Sequence, residues 1–439
     1  MRNLIVILQN EYKHFVRSKF KIFSLFLFIG AAVYGLQNGY ELCQKHNSEI
    51  AAIKTKNAES VKKMEGWFDE GKKGPEDRPW INITTPFWAI WNAPSTAVKT
   101  PSALMPFIIG QTEQFGYYKQ VTNWSTTFDS DLAEEIANPE RLATGTLDFS
   151  FVIIYLLPVL FIVLLFNIGG LEKDLGFDRL IQVNSISPKK WLLARFAFYF
   201  LALIIVLLVL MLPYAILSGA FQNEFGTFIK LFLYISLYTL LWFSVFYFIN
   251  LSGKGSTNQA LKMVSVCLLF CIVLPGTIHQ VASLKYPSSY MTDYIDANRE
   301  ESNKLWELPN DTIRNRLLAL YPILKETKHG RDTLIDEEIL GNSSSALVNE
   351  LMKKTALTIE INNEHKNQFI KNTYWINPIS FFQNKINTLA NNDYYAYKQF
   401  RHNIQSIIDK KVNTILLDCW NKETVNKEKY LRYIKHFNN

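Results

Sequence analysis

Long apolar runs alternate with charge-rich segments along this chain. Five stretches contain no Asp, Glu, Lys or Arg, namely 22–40, 149–171, 196–223, 231–253 and 263–284. A helix rises about 1.5 Å per residue and a bilayer's hydrocarbon core is about 30 Å thick, so each stretch is long enough to cross it. A charge at the bilayer centre costs roughly 2.5–3.5 kcal/mol on insertion scales, which makes such clean runs typical of membrane spans. The pattern therefore predicts a polytopic membrane protein.

These spans set the expected organisation of the whole chain. The predicted fold class is an all-α polytopic membrane protein with about five transmembrane helices and two mostly helical extracytoplasmic regions. The expected parts are a cytoplasmic amphipathic helix (1–21), the first transmembrane helix (22–40), an extracytoplasmic domain (41–147), transmembrane helices two to five (148–284, with a cytoplasmic loop at 169–190) and an extracytoplasmic C-terminal region (285–439).

The placement of the positive charges predicts the orientation better than the mild net charge of +7 does. Lys and Arg near span ends favour the cytoplasmic side. Five such residues precede the first span: Arg2, Lys13, Arg17, Lys19 and Lys21. The N-terminus is therefore expected in the cytoplasm, and the basic 172–195 loop falls on the same side. The 219–230 connection falls outside and contains only one basic residue, Lys230.

The segment before the first span has two interpretations. Residues 3–17 have an apolar start and a basic end, which is typical of a helix lying on the membrane surface. The alternative is a plain extension of the first span. We expect an uncleaved span rather than a signal peptide, because no small-residue cleavage site follows it.

Two other segments gave predictions about the polar regions. Residues 75–106 are rich in proline and aromatic residues, which suits either a loop-rich domain with a tryptophan core or an aromatic surface that touches lipid headgroups. Residues 332–361 have a helical pattern, and Gly341, Asn342 and Ser343 predict a break within it.

The four cysteines fall into two pairs. Cys267 and Cys271 lie within the last span and are expected to be packing residues. Cys43 and Cys419 are both predicted to lie outside, where disulfides persist, and a bridge between them is a possible link between the two outer regions.

The sequence contains no recognisable nucleotide-binding or catalytic motif. The segment from Gly253 to Thr257 has a glycine where a phosphate loop needs Ser or Thr after its lysine, so a flexible turn is the better interpretation. There is no zinc-protease or paired Cys and His spacing. No charge lies mid-span, which disfavours an ion-coupled transporter, and His279 near the end of the last span is more typical of packing than of a path. We therefore expect no enzyme activity and no cofactor bound by this chain.

A more distinctive pattern surrounds the second span. Gly145 to Val152 leads into that span, and Leu171-Glu172-Lys173-Asp174-Leu175-Gly176 leaves it. A serine-containing turn and then Arg195, entering the next span, follow. This order, together with Glu11 and Arg17 before the first span, resembles the permease subunits of type-2 ABC exporters. The bacterial branch with a large extracytoplasmic insert between its first two transmembrane helices is the most similar. Many type-2 permeases have six spans, whereas five are predicted here.

The resemblance implies a set of roles and partners. It implies that the loop after the second span couples to a cytoplasmic ATPase through Glu172, Lys173, Asp174, Gly176, Arg179, Leu180 and Ser185. Glu11 and Arg17 would belong to the surface "elbow" helix. The implied partners are an ABC ATPase subunit that carries ATP and Mg, a second permease copy or paralogue (a homo- or heterodimer) and membrane lipid, with no nucleic acid. The implied location is the bacterial plasma (inner) membrane.

Two function classes follow from this interpretation. The first is an export permease driven by a separate ATPase. The second is a mechanotransmission or signalling protein, in which ATPase strokes move the outer domains without transmembrane flux. A membrane-embedded enzyme is a third class, but no catalytic constellation supports it.

Overall fold

The computed structural model describes residues 2–137, 147–177, 187–252, 255–287, 294–295, 299–300, 303–305, 307–332 and 334–438. Most of these residues are helical, and two short strands pair antiparallel. The first half contains α1 Arg2–Arg17, α2 Lys19–Asp69, α3 Pro86–Trp91, β1 Thr96–Val98, β2 Tyr118–Gln120, α4 Asp129–Ala137, α5 149–165, α6 Gly170–Asp174, α7 Pro188–Leu217, α8 Ala220–Asn223, α9 Phe225–Ser252 and α10 Ser256–Lys285. The second half contains α11 Asn310–Leu320, α12 Lys328–Arg331, α13 Glu337–Asn372, α14 Pro378–Leu389, α15 Tyr394–Trp420 and α16 Lys427–Asn438.

Five helical stretches of the described chain are long and apolar enough to cross a membrane. They are α2, α7, α9, α10 and the stretch that runs from the start of α5 to the end of α6, and each covers most or all of one predicted span. The predicted span 196–223 continues past the end of α7 at Leu217. Their buried side chains form one apolar core, to which Phe161, Leu203, Leu231 and Met263 belong. The fold class expected from the apolar runs is therefore confirmed as far as a helical protein with five potential spans.

The bundle has two distinct ends. The loop end is defined by α1, the start of α2, α6 and the starts of α7 and α10, which contact one another. The domain end is where the polar segments attach, and there Glu224 accepts hydrogen bonds from the hydroxyl of Ser102 and the amide of Ala103.

Helix α2 is one continuous rod of 51 residues. Ser18 separates it from α1 with an extended backbone, and its hydroxyl accepts a hydrogen bond from the amide of Lys21. This break excludes α1 as a plain extension of the first span. At about 1.5 Å per residue the rod is about 77 Å long, so the predicted boundary at residue 40 lies inside a single helix.

Helix α5 contains a π-helical turn, Val152–Leu156, just before Pro158. Proline has no amide hydrogen, so it cannot bond the carbonyl four residues earlier, that of Ile154. The hydroxyl of Tyr238 on α9 donates to this carbonyl at 2.7 Å. A helix in an apolar environment needs such a replacement, because an unpaired carbonyl there costs several kcal/mol.

The two polar segments fold together as one domain. A second apolar core contains Ile83, Ala89 and Phe128 from the first segment together with Leu347 and Ile404 from the second. The two segments are separate in the sequence but share one apolar core.

Buried charges link the two segments of this domain. Arg401 on α15 donates to Asp131 at 3.3 Å and to Glu360 at 2.6 Å, and its side chain is almost fully buried. Lys411 donates to the carbonyl of Ala93 at 2.9 Å, and burial lowers the pKa of Lys411 to about 7. Contacts of this kind hold positions that lie hundreds of residues apart.

The domain and the bundle meet along α2 and α14. A Cβ on Gly39 of α2 would lie 2.5 Å from the carbonyl oxygen of Pro106, so only glycine fits there. Phe382 on α14 stacks on Tyr238 of α9 with ring centroids 4.2 Å apart. The short helix α14 thus contributes side chains to the core of the bundle.

Three predictions about the polar segments and cysteines differ from the structure. Cys43 and Cys419 are free thiols in separate apolar clusters, so the possible disulfide is absent. Helix α13 runs unbroken through Gly341, because the hydroxyls of Ser343 and Ser344 bond carbonyls of their own helix and face the core. In the segment 75–106 the aromatic side chains do not form the core.

In that segment, Ile83, Ala89 and Ile90 are buried, whereas Trp80 and Trp91 are exposed. A tryptophan core is therefore wrong for residues 75–106. Cys267 and Cys271 are buried in α10 as expected for packing residues.

Candidate functional site: a charge network at the loop end

The segment after α5 forms a short helix between two glycines. Gly169 and Gly176 both have left-handed backbones, with φ of 78° and 75°, which side chains rarely adopt. Between them lies α6, and the carboxylate of Glu172 accepts from the amide of Gly169 at 3.1 Å. The amide of Phe177 donates to the carbonyl of Glu172 at 2.8 Å and closes the C-terminal turn. The two glycines therefore define a compact helical corner.

Arg195 at the start of α7 ties this corner to α1. Its Nε donates to Glu11 Oε2 and its Nη1 donates to Glu172 Oε1, both at 2.5 Å. The hydroxyl of Tyr199, one turn further along α7, donates to Glu11 Oε1 at 2.8 Å. One guanidinium thus joins α1, α6 and α7, which are far apart in sequence.

Lys21 at the start of α2 completes the network. Its Nζ donates to the hydroxyl of Tyr199 at 3.0 Å and to the carbonyl of Leu164 at 2.8 Å. The carbonyl of Leu164 lies at the end of α5, so Lys21 also connects the first two potential spans. We call Glu11, Lys21, Glu172, Arg195 and Tyr199 the charge network.

The network is buried and its charges balance. Glu11 is 2% exposed and Arg195 is 8% exposed, while Glu172 keeps part of its side chain in contact with solvent. Two cations face two carboxylates, which offsets the cost of removing them from water. Removal of one partner from such a buried pair costs about 3–5 kcal/mol, because a charge is left uncompensated.

The opposite side of α6 contacts the start of α10. The carboxylate of Asp174 accepts from the amide of Ser256 at 3.1 Å. A Cβ on Gly170 would lie 2.6 Å from the side chain of Gln259 and 2.8 Å from the backbone of Ser256, so glycine permits the close approach. Helix α6 is therefore held by α1 and α7 on one side and by α10 on the other.

The remaining surface of α6 and its C-terminal turn is open. Leu175 is 58% exposed and Phe177 is 52% exposed, and Leu171 is also exposed. Lys173 is exposed too. We call Leu171, Lys173, Leu175 and Phe177 the open face of α6. A mixed apolar and basic surface on a rigidly held helix is suited to contact with another protein.

The residues predicted for ATPase coupling are placed in different environments. Glu172 lies in the charge network, Asp174 bonds Ser256, and Lys173 and Gly176 lie at the surface. Arg179, Leu180 and Ser185 lie outside the residues that the structure describes.

The two predicted elbow residues also differ from each other. Glu11 is buried in the charge network, whereas Arg17 is exposed at the end of α1. Sequence reasoning assigned no role to Tyr199 and treated Lys21 only as an orientation signal. The one available signal was that Lys21 directly precedes an apolar run, whereas Tyr199 lies within one and gave no signal.

The described residues contain no group of three or more His, Cys, Asp or Glu side chains that could hold a metal ion. The contacts of the charge network are hydrogen bonds and ion pairs between helices. No protein-family model, curated protein or solved structure matches this chain.

Proposed function

We propose that this chain is the membrane-spanning permease subunit of an ATP-driven export system. In this proposal a separate ATPase binds the open face of α6 from the cytoplasmic side and α6 transmits its movement to the bundle. The single observation that carries the proposal is the charge network, which fixes a five-residue helix to three other helices while leaving one face open.

The connections of α6 suit a coupling element. Arg195 links it to α1 and α7, and Asp174 links it to α10. A push on α6 would therefore reach three helices as a rigid-body movement, because packed elements and ion pairs do not deform continuously.

The surface of α1 supports placement of the loop end at a membrane surface. Glu11 faces the protein, while Ile5, Val6, Tyr12 and Val16 are exposed. An amphipathic helix with an apolar face turned outward is typical of an interfacial helix. Basic residues at this end favour the cytoplasmic side, and the proposed location is the bacterial inner membrane.

The test is to purify the chain in mild detergent with its proposed ATPase, identified by a phosphate loop and an ABC signature sequence. Leu175→Arg with Phe177→Arg should weaken ATPase binding at least tenfold, because two apolar contacts become charges. Leu334→Arg, at an exposed site in the polar domain, is the matched control. Equal ATPase binding by both variants would contradict the proposal.

Mechanotransmission is the second candidate, and α2 favours it. This single helix of 51 residues begins beside the charge network and ends in the polar domain, where Lys427 pairs with Asp69 at 2.7 Å. A continuous rod could pass a movement from the loop end to the polar domain without a transported substrate. Reconstituted vesicles distinguish the two candidates: ATP-dependent lipid or peptide flux supports export, and domain movement without flux supports transmission.

A further inference from the structure

A large cavity lies in the polar domain, away from the charge network. Its volume is about 1160 Å³, which is slightly above the usual range of small-molecule sites. It lies between α11, α13 and α15. Its lining is mainly aliphatic and includes Leu320, Leu347, Leu351, Leu357 and Ile361.

Helix α13 supplies an apolar stripe to this cavity. Leu357 is 61% exposed, and Ile361, one turn further, is also exposed. Leu320 on α11 is exposed as well and faces the same space. A soluble surface rarely leaves several large aliphatic side chains around one concavity, so the arrangement points to an apolar ligand.

Most charged groups in the lining already have partners. Glu360 accepts from Arg401 at 2.6 Å, and Glu364 accepts from Lys398 at 3.0 Å. Lys353 pairs with Asp409 outside the cavity lining at 2.9 Å. These pairs neutralise one another and leave little net charge to attract a ligand.

The charges that remain in the lining are mainly positive. Arg316 and Lys354 form no ion pair within the part of the chain that the structure describes, and Glu350 is the remaining carboxylate there. The two cations outnumber the single carboxylate. An anionic group above the apolar walls would therefore find a complementary charge.

We infer that this cavity binds an acyl chain with an anionic head group. The chain lies against Leu320, Leu357 and Ile361, and the head group lies near Arg316 and Lys354. Either a free fatty acid or an anionic lysophospholipid provides this chemistry. Binding here needs no ATPase, so the inference goes beyond the proposed function and does not depend on it.

The test measures binding to the full chain in amphipol, without ATPase, by displacement of a fluorescent fatty acid. Saturated fatty acids of increasing length should compete with about fourfold higher affinity for each added methylene, until the cavity is filled. Lysophosphatidylglycerol distinguishes the two sources: tighter binding than the fatty acid of equal length indicates a lipid head group. An alkyltrimethylammonium of equal length should compete at least tenfold more weakly.

Variants locate the site. Leu357→Gln with Ile361→Gln should lower affinity for every chain at least tenfold. Arg316→Gln with Lys354→Gln should lower affinity for the anion about tenfold and leave that for a neutral monoacylglycerol unchanged. Leu334→Gln, at an exposed apolar site outside the cavity, is the control. Circular dichroism checks that each variant is folded.

Three results would overturn the inference. They are equal binding of the cationic and anionic amphiphiles, an equal loss of affinity in the control, and an affinity that does not depend on chain length. A photoactivatable fatty acid gives a second measurement. Its cross-links should map to residues 337–372, and cross-links confined to the bundle would mean bulk partition into the apolar surface only.

Discussion

Replacement of Glu11 by glutamine tests the charge network most directly. The change keeps the shape of the side chain and removes one charge. Arg195 would then keep only the carboxylate of Glu172 as an ion-pair partner, and the charge network would contain two cations and one carboxylate. The new amide group would also turn a donor toward Arg195 or Tyr199, where the wild-type carboxylate accepts at 2.5 and 2.8 Å.

The magnitude follows from burial. Glu11 is 2% exposed, so solvent cannot replace its charge, and the free energy of unfolding should fall by about 3–5 kcal/mol. Glu172→Gln should cost less, about 1–3 kcal/mol, because solvent reaches part of that side chain. In Glu11→Gln with Arg195→Met the two losses should not add, and a coupling of about 0.5–3 kcal/mol is expected for contacting residues.

The assay is unfolding by sodium dodecyl sulfate in mixed micelles, followed by circular dichroism. Arg17→Gln is the matched control, because Arg17 is exposed on the same helix and should change stability by no more than about 0.5 kcal/mol. If Glu11→Gln were as stable as this control, or if the Glu11 and Arg195 losses were simply additive, the network would not hold α1 to α7.

Other parts of the structure give four further predictions. Lys411→Met should remove a rise in stability of at most roughly 1.4 kcal/mol per pH unit above pH 7. The sign follows because burial lowers the pKa of Lys411 to about 7, so the unfolded chain binds more protons than the folded chain between that pH and the ordinary pKa of lysine. Denaturation curves that show the same change in the free energy of unfolding from pH 7 to 9 for both proteins would contradict this prediction. Tyr238→Phe should cost about 1–3 kcal/mol in thermal unfolding, since the carbonyl of Ile154 loses its hydroxyl donor and keeps only the weaker thiol of Cys271 at 3.9 Å. A cost equal to that of Tyr34→Phe at an exposed site would argue against this. Gly39→Ala should lower the yield of folded protein in size-exclusion chromatography, because a Cβ would lie 2.5 Å from the carbonyl oxygen of Pro106, whereas Gly30→Ala, with no atom within 4 Å, should not. Alkylation after denaturation without reductant should label all four cysteines by mass spectrometry, and two labels would mean that a disulfide exists.

The apolar bundle could be predicted well because its signal is local. A run without charges marks a potential span whatever the rest of the chain does, and all five runs correspond to helices. The segment before the first span had two interpretations on the sequence alone, and the break at Ser18 decides between them. The predicted end of that span at residue 40 marked only the next charge, Glu41, whereas α2 continues to Asp69.

The packing of the polar segments could not be predicted in the same way. Contacts such as Arg401 with Asp131 and Lys411 with Ala93 join residues that are hundreds of positions apart. The local pattern of apolar and polar residues contains no information about contacts between such distant positions. Helix α14 was missed as part of the bundle core for a related reason, since its short apolar face carries Phe382 but is far too short to cross a membrane.

The candidate site could be predicted only in part. Glu11 and Glu172 stood out through the resemblance to exporter permeases, and the structure joins both to Arg195. Tyr199 gave no signal, because a tyrosine in an apolar run is an ordinary packing residue until its hydroxyl has a partner. The inward orientation of Glu172 was also unexpected, since a charged residue in a loop is more often solvated.

The shared core of the polar domain has a consequence for biosynthesis. The segment from Asp69 to Phe128 obtains its apolar partners, such as Ile404 and Trp420, only after about 300 further residues have left the ribosome. While these residues are synthesised, the intervening helices must be inserted, and the first segment remains incompletely folded on its side of the membrane. A stalled or truncated nascent chain would therefore leave this segment exposed to chaperones and proteases, even where the bundle itself had assembled.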